Sequence, residues 1–479
     1  MISLILLFPL IACLLLFIFK KKFLNNLMIN LYALVHFVVS SALCLGIDFM
    51  PGVGSTKFFG IDNTNKIFLM VMSVVYLAVA IYNNAYLKMD KDLLPRKMRH
   101  YTYMVLFFVL SMTGAILSTN LGITWVFIEG TTLASAYLIY FHKTKHSIEA
   151  AWKYVFICSI GIALAFVGII LLTIATGDLN SLFYSDLYNN ASMFNPFWLK
   201  LSFVFILFGI GTKMGLAPVH FWLPDAHAEA PSPISALLSA TLLNSAFLMI
   251  LNVFRVMILA GCDSYARIML ITMGFISLFV TAVFVYHINN YKRMLAYSSI
   301  ENMGILAIGT ALGGVGMFAA MIHLIGHSLI KASFFLTSGN VLELYGTKKI
   351  KSVTGLLEND KKTGWLWVAS FLGIAAFPPS VLFISEFLMV KTMFVKSHYV
   401  LAVLFLLLLT IVLYGLGKAV IKMAFSPKKD DEEASNKEVK SLSWQMYAPQ
   451  IVMLLIAFCI GIYMPEKLTA MLQLAAVGF

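Results

Sequence analysis

Fourteen apolar stretches, each about 20 residues long, divide this chain, and they decide what it can fold into. They run roughly over 2–19, 27–47, 66–87, 101–118, 122–141, 152–176, 197–217, 232–259, 265–288, 294–312, 315–341, 365–390, 399–424 and 445–463. A stretch of that length crosses the hydrocarbon of a bilayer as a helix. Lipid offers backbone groups no partners, so only helices or closed barrels cross it. A barrel needs short alternating strands, and these stretches are continuous Leu, Ile, Phe, Val and Met. Composition agrees. The chain is 61% hydrophobic and 12% charged, with mean hydropathy +0.90. Soluble domains hold about 45–50% apolar and about 25% charged residues. The expected fold class is therefore all-α, a polytopic membrane protein of about fourteen spans.

Residues 1–19 lack the basic start and small-residue cleavage site of a signal peptide, and Lys20, Lys21 and Lys22 follow. They read as a first span with its N-terminus outside. The odd-numbered connections hold 24 of the 34 Lys and Arg. These include Lys88 to Arg99, Lys143 to Lys153, Lys292 with Arg293, Lys348 to Lys362, and Lys418 to Lys440. The positive-inside rule places those connections in the cytoplasm and both termini on the outer side of the cell membrane. One connection breaks the trend: 218–231 carries Asp225 and Glu229 and no Lys or Arg. The net charge of +12 thus speaks of membrane orientation and not of nucleic acid. No connection is long enough for a soluble domain, and the charged 426–443 reads as a solvated loop. The five cysteines are scattered through apolar runs without a CxxC, so no metal or cofactor is expected in this chain.

Charged residues inside spans cost a few kcal/mol each and mark working sites. Glu129 sits near mid-span, with no Lys or Arg within a turn. Lys213 lies among glycines, and Pro218 five residues on breaks its helix. Transporters place ion sites at such breaks. Glu129 is the natural partner for Lys213, and the two together would make a switchable proton binder. A structural ion pair or a snorkelling lysine are the plainer alternatives. His323, His327 and Lys331 recur at i, i+4 and i+8, on one helical face over about 12 Å. Imidazole donates at one nitrogen and accepts at the other, so the row suits proton relay. Core histidines are the alternative. A zinc site lacks a third ligand, and Leu324 stands where a zincin has its Glu. Glu386 follows Pro378-Pro379 in a second interrupted span, with Lys391 five residues on. Glu301 lies mid-span or near the cytoplasmic edge. His36 reads as a satisfied buried histidine.

The segment from Lys213 through Gly215-Leu-Ala-Pro-Val-His-Phe-Trp-Leu-Pro-Asp-Ala-His-Ala-Glu-Ala-Pro-Ser-Pro to Leu238 closely resembles the antiporter-like proton-pumping membrane subunits. These occur in respiratory complex I, multisubunit sodium/proton antiporters and membrane-bound hydrogenases. Tyr291-Lys-Arg-Met-Leu-Ala-Tyr-Ser-Ser-Ile-Glu-Asn-Met-Gly304 and the row His323 to Lys331 are similar to two further hallmarks. Within the superfamily the chain looks most like the hydrogenase-4 component F group of group 4 NiFe hydrogenase complexes. The resemblance implies one membrane domain over 1–479. Helices 1–3 fill 1–100, a first repeat of helices 4–8 fills 101–260, an inverted second repeat of helices 9–13 fills 264–425, and helix 14 lies in 445–479. Each repeat holds a broken helix.

It also implies that Glu129 pairs with Lys213, that His327 and Lys331 form the polar face of span 11, and that Glu386 is the charged residue of span 12. One position departs. Many members carry a lysine in span 8 where this sequence has Asn244, which cannot store a proton. Water, His287 or Glu301 would then bridge the gap. The longest complex I subunit of this type continues into a lateral helix, for which nothing here is expected to serve.

The expected function is movement of protons, or alternatively sodium, in a hydrogenase or formate hydrogenlyase-type complex. The chain would be a non-redox subunit of an oxidoreductase, with no cofactor-bearing active site of its own. Expected partners are other antiporter-like and anchor subunits, with peripheral NiFe-hydrogenase and iron–sulfur subunits. The rival expectations are the equivalent subunit of complex I or of an Na⁺/H⁺ antiporter, and a scaffold that has lost pumping.

Overall fold

Helices form wherever the apolar runs stand, because each backbone group must find its partner within its own segment. The computed structural model describes residues 1–47, 57–89, 94–427 and 442–479. The four lysines of 426–443 therefore fall outside the described residues, as does Lys91.

The helices are, in order, α1 (Ile2–Phe19), α2 (Lys22–Leu45), α3 (Asn63–Met89), α4 (Pro95–Leu117), α5 (Leu121–Ile139), α6 (Lys145–Ala175) and α7 (Tyr184–Asn190). Then come α8 (Pro196–Met214), α9 (Leu223–Glu229), α10 (Ser232–Leu237), α11 (Leu243–Leu259), α12 (Asp263–Phe284), α13 (Tyr291–Leu312) and α14 (Val315–Tyr345). The last are α15 (Leu356–Asn359), α16 (Lys361–Ile374), α17 (Val381–Val395), α18 (Tyr399–Phe425), α19 (Ala448–Ile462) and α20 (Glu466–Ala476). Every apolar stretch read from the sequence lies on one of these helices or, for 232–259 and 365–390, on a pair. The protein is an all-helical, multi-pass membrane protein.

Among the described residues, twelve helical segments are long and apolar enough to cross a membrane. The two expected crossings outside that set are informative. Helix α13 is 22 residues long, but Glu301, Asn302 and several hydroxyls lower its hydropathy. The other is split into α16 and α17, of 14 and 15 residues. Four elements were not expected: the short α7, α9 and α15 in connections, and α20, which follows the last span and buries Leu472 and Ala475.

The helix starts and stops are written locally. Asn120, Asn195 and Asn290 each cap a helix by accepting from two backbone N–H groups of the first turn. Helix α8 ends at Gly215, whose φ of 80° glycine adopts without steric cost. Its exposed end is then pinned, since Trp222 Nε1 donates to the Thr212 carbonyl at 2.7 Å. Pro218 lies in the gap between α8 and α9. The second break is built similarly. Pro378 and Pro379 separate α16 from α17, Ser380 caps α17, and Ser380 Oγ donates to the Gly373 carbonyl at 2.9 Å.

Helix α14 and the segment Ser232–Leu259 are buried all round and form the centre of the molecule. Helices α6 and α8 pack closely through small residues. A Cβ placed on Gly161 would stand 2.7 Å from the Thr212 side chain. One placed on Gly168 would stand 2.6 Å from Ile206.

The loop that broke the charge trend fits once folded. Asp225 meets Arg293 at 2.9 Å and Lys153 at 3.3 Å, and Glu229 meets Lys348 at 3.0 Å. Those cations belong to the connections counted with it on one side. Its acids neutralise two lysines and an arginine supplied by other parts of the chain.

Candidate functional site

Three polar groups lie in the apolar interior. The first joins α5, α6 and α8. Lys213, in the last turn of α8, is wholly buried. Its Nζ donates to the Tyr154 hydroxyl of α6 at 2.7 Å and lies 4.7 Å from the centre of that ring. The same hydroxyl is 2.6 Å from Ser135 Oγ of α5. One and two turns earlier on α5 stand Thr132 and Glu129, and Thr132 Oγ1 donates to Glu129 Oε2 at 3.2 Å.

The expected Glu129–Lys213 ion pair is corrected here. Among the described residues no ion pair within 4.0 Å joins the two. Glu129 is half-buried, on the side of α5 that also shows Val126 and Leu133, while Lys213 turns inward to α6. The lysine's partner is therefore a neutral phenol and not a carboxylate.

The second group surrounds Asn244. The helix carrying it is locally widened into a π turn at Leu238–Leu242, directly before α11. Such turns recur at functional sites because they release backbone groups and re-aim side chains. Asn244 Nδ2 donates to the Ala240 carbonyl and to Ser328 Oγ, both at 2.8 Å. Its Oδ1 has no partner among the described residues. Neither ring nitrogen of His327, next to Ser328 on α14, has one. Ser239 and Ser299 face each other across α13 at 2.8 Å. Most buried polar atoms in proteins are satisfied, so unpaired ones gathered at a helix defect mark a place fit for water.

The third group ties α14 to α13 and α17. Lys331 Nζ donates to the Leu295 carbonyl at 2.7 Å and to Ser298 Oγ. His323 is held on both sides, Nε2 by Asn302 Oδ1 and Nδ1 by Ser385 Oγ, each at 3.0 Å. Two members of the i, i+4, i+8 row, His323 and Lys331, thus meet α13. Glu301 is buried on α13 beside Asn302. Glu386 follows Ser385 and is half-buried, between the exposed Phe383 and Phe387.

Two expected bridging residues stand apart from these groups. His287 lies exposed in the turn Val285–His287 where the chain leaves α12. Lys391 is exposed, one turn past the exposed Phe387, and lies about 140° around the helix from Glu386. Among the described residues no group of three or more His, Cys, Asp or Glu gathers as a metal site.

Sequence reasoning missed Tyr154, Ser135, Ser298, Asn302, Ser328 and Ser385. Hydroxyls and amides are common in spans, and only packing shows which of them meet a lysine or histidine. It also passed over His227, which lies inside the strongest motif. That ring is buried, stacks on Phe335 at 4.8 Å, and has no partner at either nitrogen among the described residues.

Residues 118–413 match the family model described as "NADH:quinone oxidoreductase/Mrp antiporter, TM". That range holds both helix breaks and every candidate residue above. A hydrogenase-4 component F homolog of Methylacidiphilum infernorum is 33% identical over 487 aligned positions, covering 99% of this chain and 98% of that protein. A chain of the membrane-bound sulfane sulfur reductase, an archaeal respiratory membrane complex, superposes with TM-score 0.86 at 22% identity, covering 100% of this chain and 97% of that one. A chain of the Mrp complex from Dietzia sp. DQ12-45-1b gives TM-score 0.86 at 16% identity, with 99% and 97% covered. At those identities the two structures speak for the fold.

Proposed function

The chain belongs to the NADH:quinone oxidoreductase/Mrp antiporter transmembrane family, and from that premise we propose that it is the ion-translocating subunit of a membrane-bound hydrogenase or formate hydrogenlyase-type complex. That it is an antiporter-like membrane subunit follows from the family itself. The observation that carries the finer reading is the end-to-end similarity to a hydrogenase-4 component F homolog.

In this reading residues 101–260 and 264–425 are two inverted repeats, each working at its broken helix. The cation-rich connections face the cytoplasm and both termini lie outside. Redox chemistry in partner subunits changes the field at Glu129 and Lys213, and the lysine releases or takes up a proton. The proton, or a sodium ion in its place, moves past Asn244 and Ser328 to His327 and Lys331. It continues by His323 toward Glu386. The amide at Asn244 relays without storing: it presents an acceptor oxygen to one neighbour and its N–H to another. Peripheral NiFe-hydrogenase and iron–sulfur subunits supply the electrons, and this chain carries no cofactor.

Two experiments test the proposal. The complex is drawn from its native membranes through a tag on this chain, and its partners are identified by mass spectrometry. A hydrogenase large subunit is expected. Quinone-reductase subunits or a set of small antiporter subunits would move the chain to the rival reading. Second, Asn244→Leu in vesicles holding the complex should lower protons moved per electron several-fold. An assembled variant with the native ratio would take Asn244 out of the path.

A further inference from the structure

Lys213 is held by a residue that no motif of the sequence singles out. An ammonium in the apolar interior needs a polar partner, or its burial costs several kcal/mol. Tyr154 offers two at once. Its hydroxyl accepts from Nζ at 2.7 Å, and its ring stands 4.7 Å from the charge. The tyrosine itself is fixed. Ser135 Oγ lies 2.6 Å from the hydroxyl. Trp222 packs on the ring at 4.8 Å and is anchored by its own bond to the Thr212 carbonyl, beside Lys213. The cradle is thus built from α5, α6 and the broken end of α8.

We infer that Tyr154 is a positioning residue for Lys213, giving the lysine a resting place apart from Glu129 that suits it both with and without its proton. A carboxylate only accepts hydrogen bonds, so it favours the charged ammonium and resists proton release. A phenol both donates and accepts. It accepts from the ammonium, and after the proton has left it donates to the neutral amine. The lysine then has two addresses. At Tyr154 it exchanges its proton freely; beside Glu129 it keeps it. The bridge to α5 runs through Ser135, on the same helix as Glu129, so a shift of α5 reaches both addresses together. This inference rests on the proposed function, in which Lys213 exchanges a proton.

The test is made on the whole complex in vesicles, reading protons moved per electron and the amount of assembled complex. Tyr154→Phe keeps the ring, its packing on Trp222 and its face toward the charge, and removes the hydroxyl alone. The expected result is normal assembly with a ratio lowered by roughly tenfold, the order set by losing a hydrogen bond to a charged group. Tyr154→Phe combined with Ser135→Ala should lose no more than Tyr154→Phe alone, since the two hydroxyls act as one unit. A packing role would leave both ratios native. Native pumping in Tyr154→Phe, with pumping lost in Lys213→Ala, overturns this inference and leaves the proposed function standing. Native pumping in Lys213→Ala overturns both. If Tyr154→Phe does not assemble, Ser135→Ala decides: a reduced ratio supports the inference, and a native one overturns it.

Discussion

Lys213→Ala is expected to abolish proton translocation while the complex assembles and turns over its redox substrates. The side chain is wholly buried, and among the described residues it is the cation that bonds the Tyr154–Ser135 pair. Alanine leaves Tyr154 and Ser135 bonded to each other but removes the group that takes up and releases the proton. Lys213→Arg should not restore pumping. It keeps the charge, yet a guanidinium does not give up its proton in proteins. The pair of variants therefore separates a need for charge from a need for proton exchange. The measurement is acidification of vesicles per electron transferred, against the native complex. Full pumping with arginine would show that charge alone suffices and would overturn the exchange step.

Gly209→Val is expected to be nearly as severe, by another route. A Cβ at Gly209 would stand 2.5 Å from the Ala165 nitrogen and 2.5 Å from the Gly161 carbonyl oxygen. Both are backbone atoms of α6, so nothing flexible can give way. Overpacking typically costs about 1–3 kcal/mol, and contact with backbone puts this change at or above the upper end. The helices must separate, and α6 carries Tyr154 while α8 carries Lys213, so their 2.7 Å bond is lost with the fold. The expected outcome is a lower unfolding temperature in detergent and little complex in the membrane. Leu133→Val, on the exposed side of α5, should change neither.

Much of this architecture can be read before any coordinates are seen. Bilayer thickness fixes how long an apolar run must be, and every run in this chain became a helix or a helix pair. Prolines announce the breaks, since Pro218, Pro378 and Pro379 leave backbone groups that a continuous helix would use. The histidine row on α14 is legible because its period matches the helix.

What was not legible depends on the meeting of distant helices. Glu129 and Lys213 invite pairing on paper, but Lys213 bonds the Tyr154 hydroxyl of α6 while Glu129 accepts from Thr132 on its own helix. Lys391 looked close to Glu386 in sequence and lies on another side of the helix. Asn302 and Ser385 have no signal until α13 and α17 are seen to flank His323. The π turn before Asn244 leaves no mark that a hydropathy pattern would register.

The half-buried state of Glu129 and Glu386 reaches beyond ion movement. Each shares its helical face with exposed apolar neighbours, Val126 and Leu133 in one case and Phe383 and Phe387 in the other. A carboxylate turned toward lipid carries a cost of a few kcal/mol, relieved when protein covers it. For the cell this becomes a matter of synthesis and turnover. Made without its neighbours, the chain holds two acids only partly covered by its own side chains, and it is expected to be open to membrane proteolysis. A pulse–chase experiment should find it short-lived when expressed alone and long-lived when expressed with its complex.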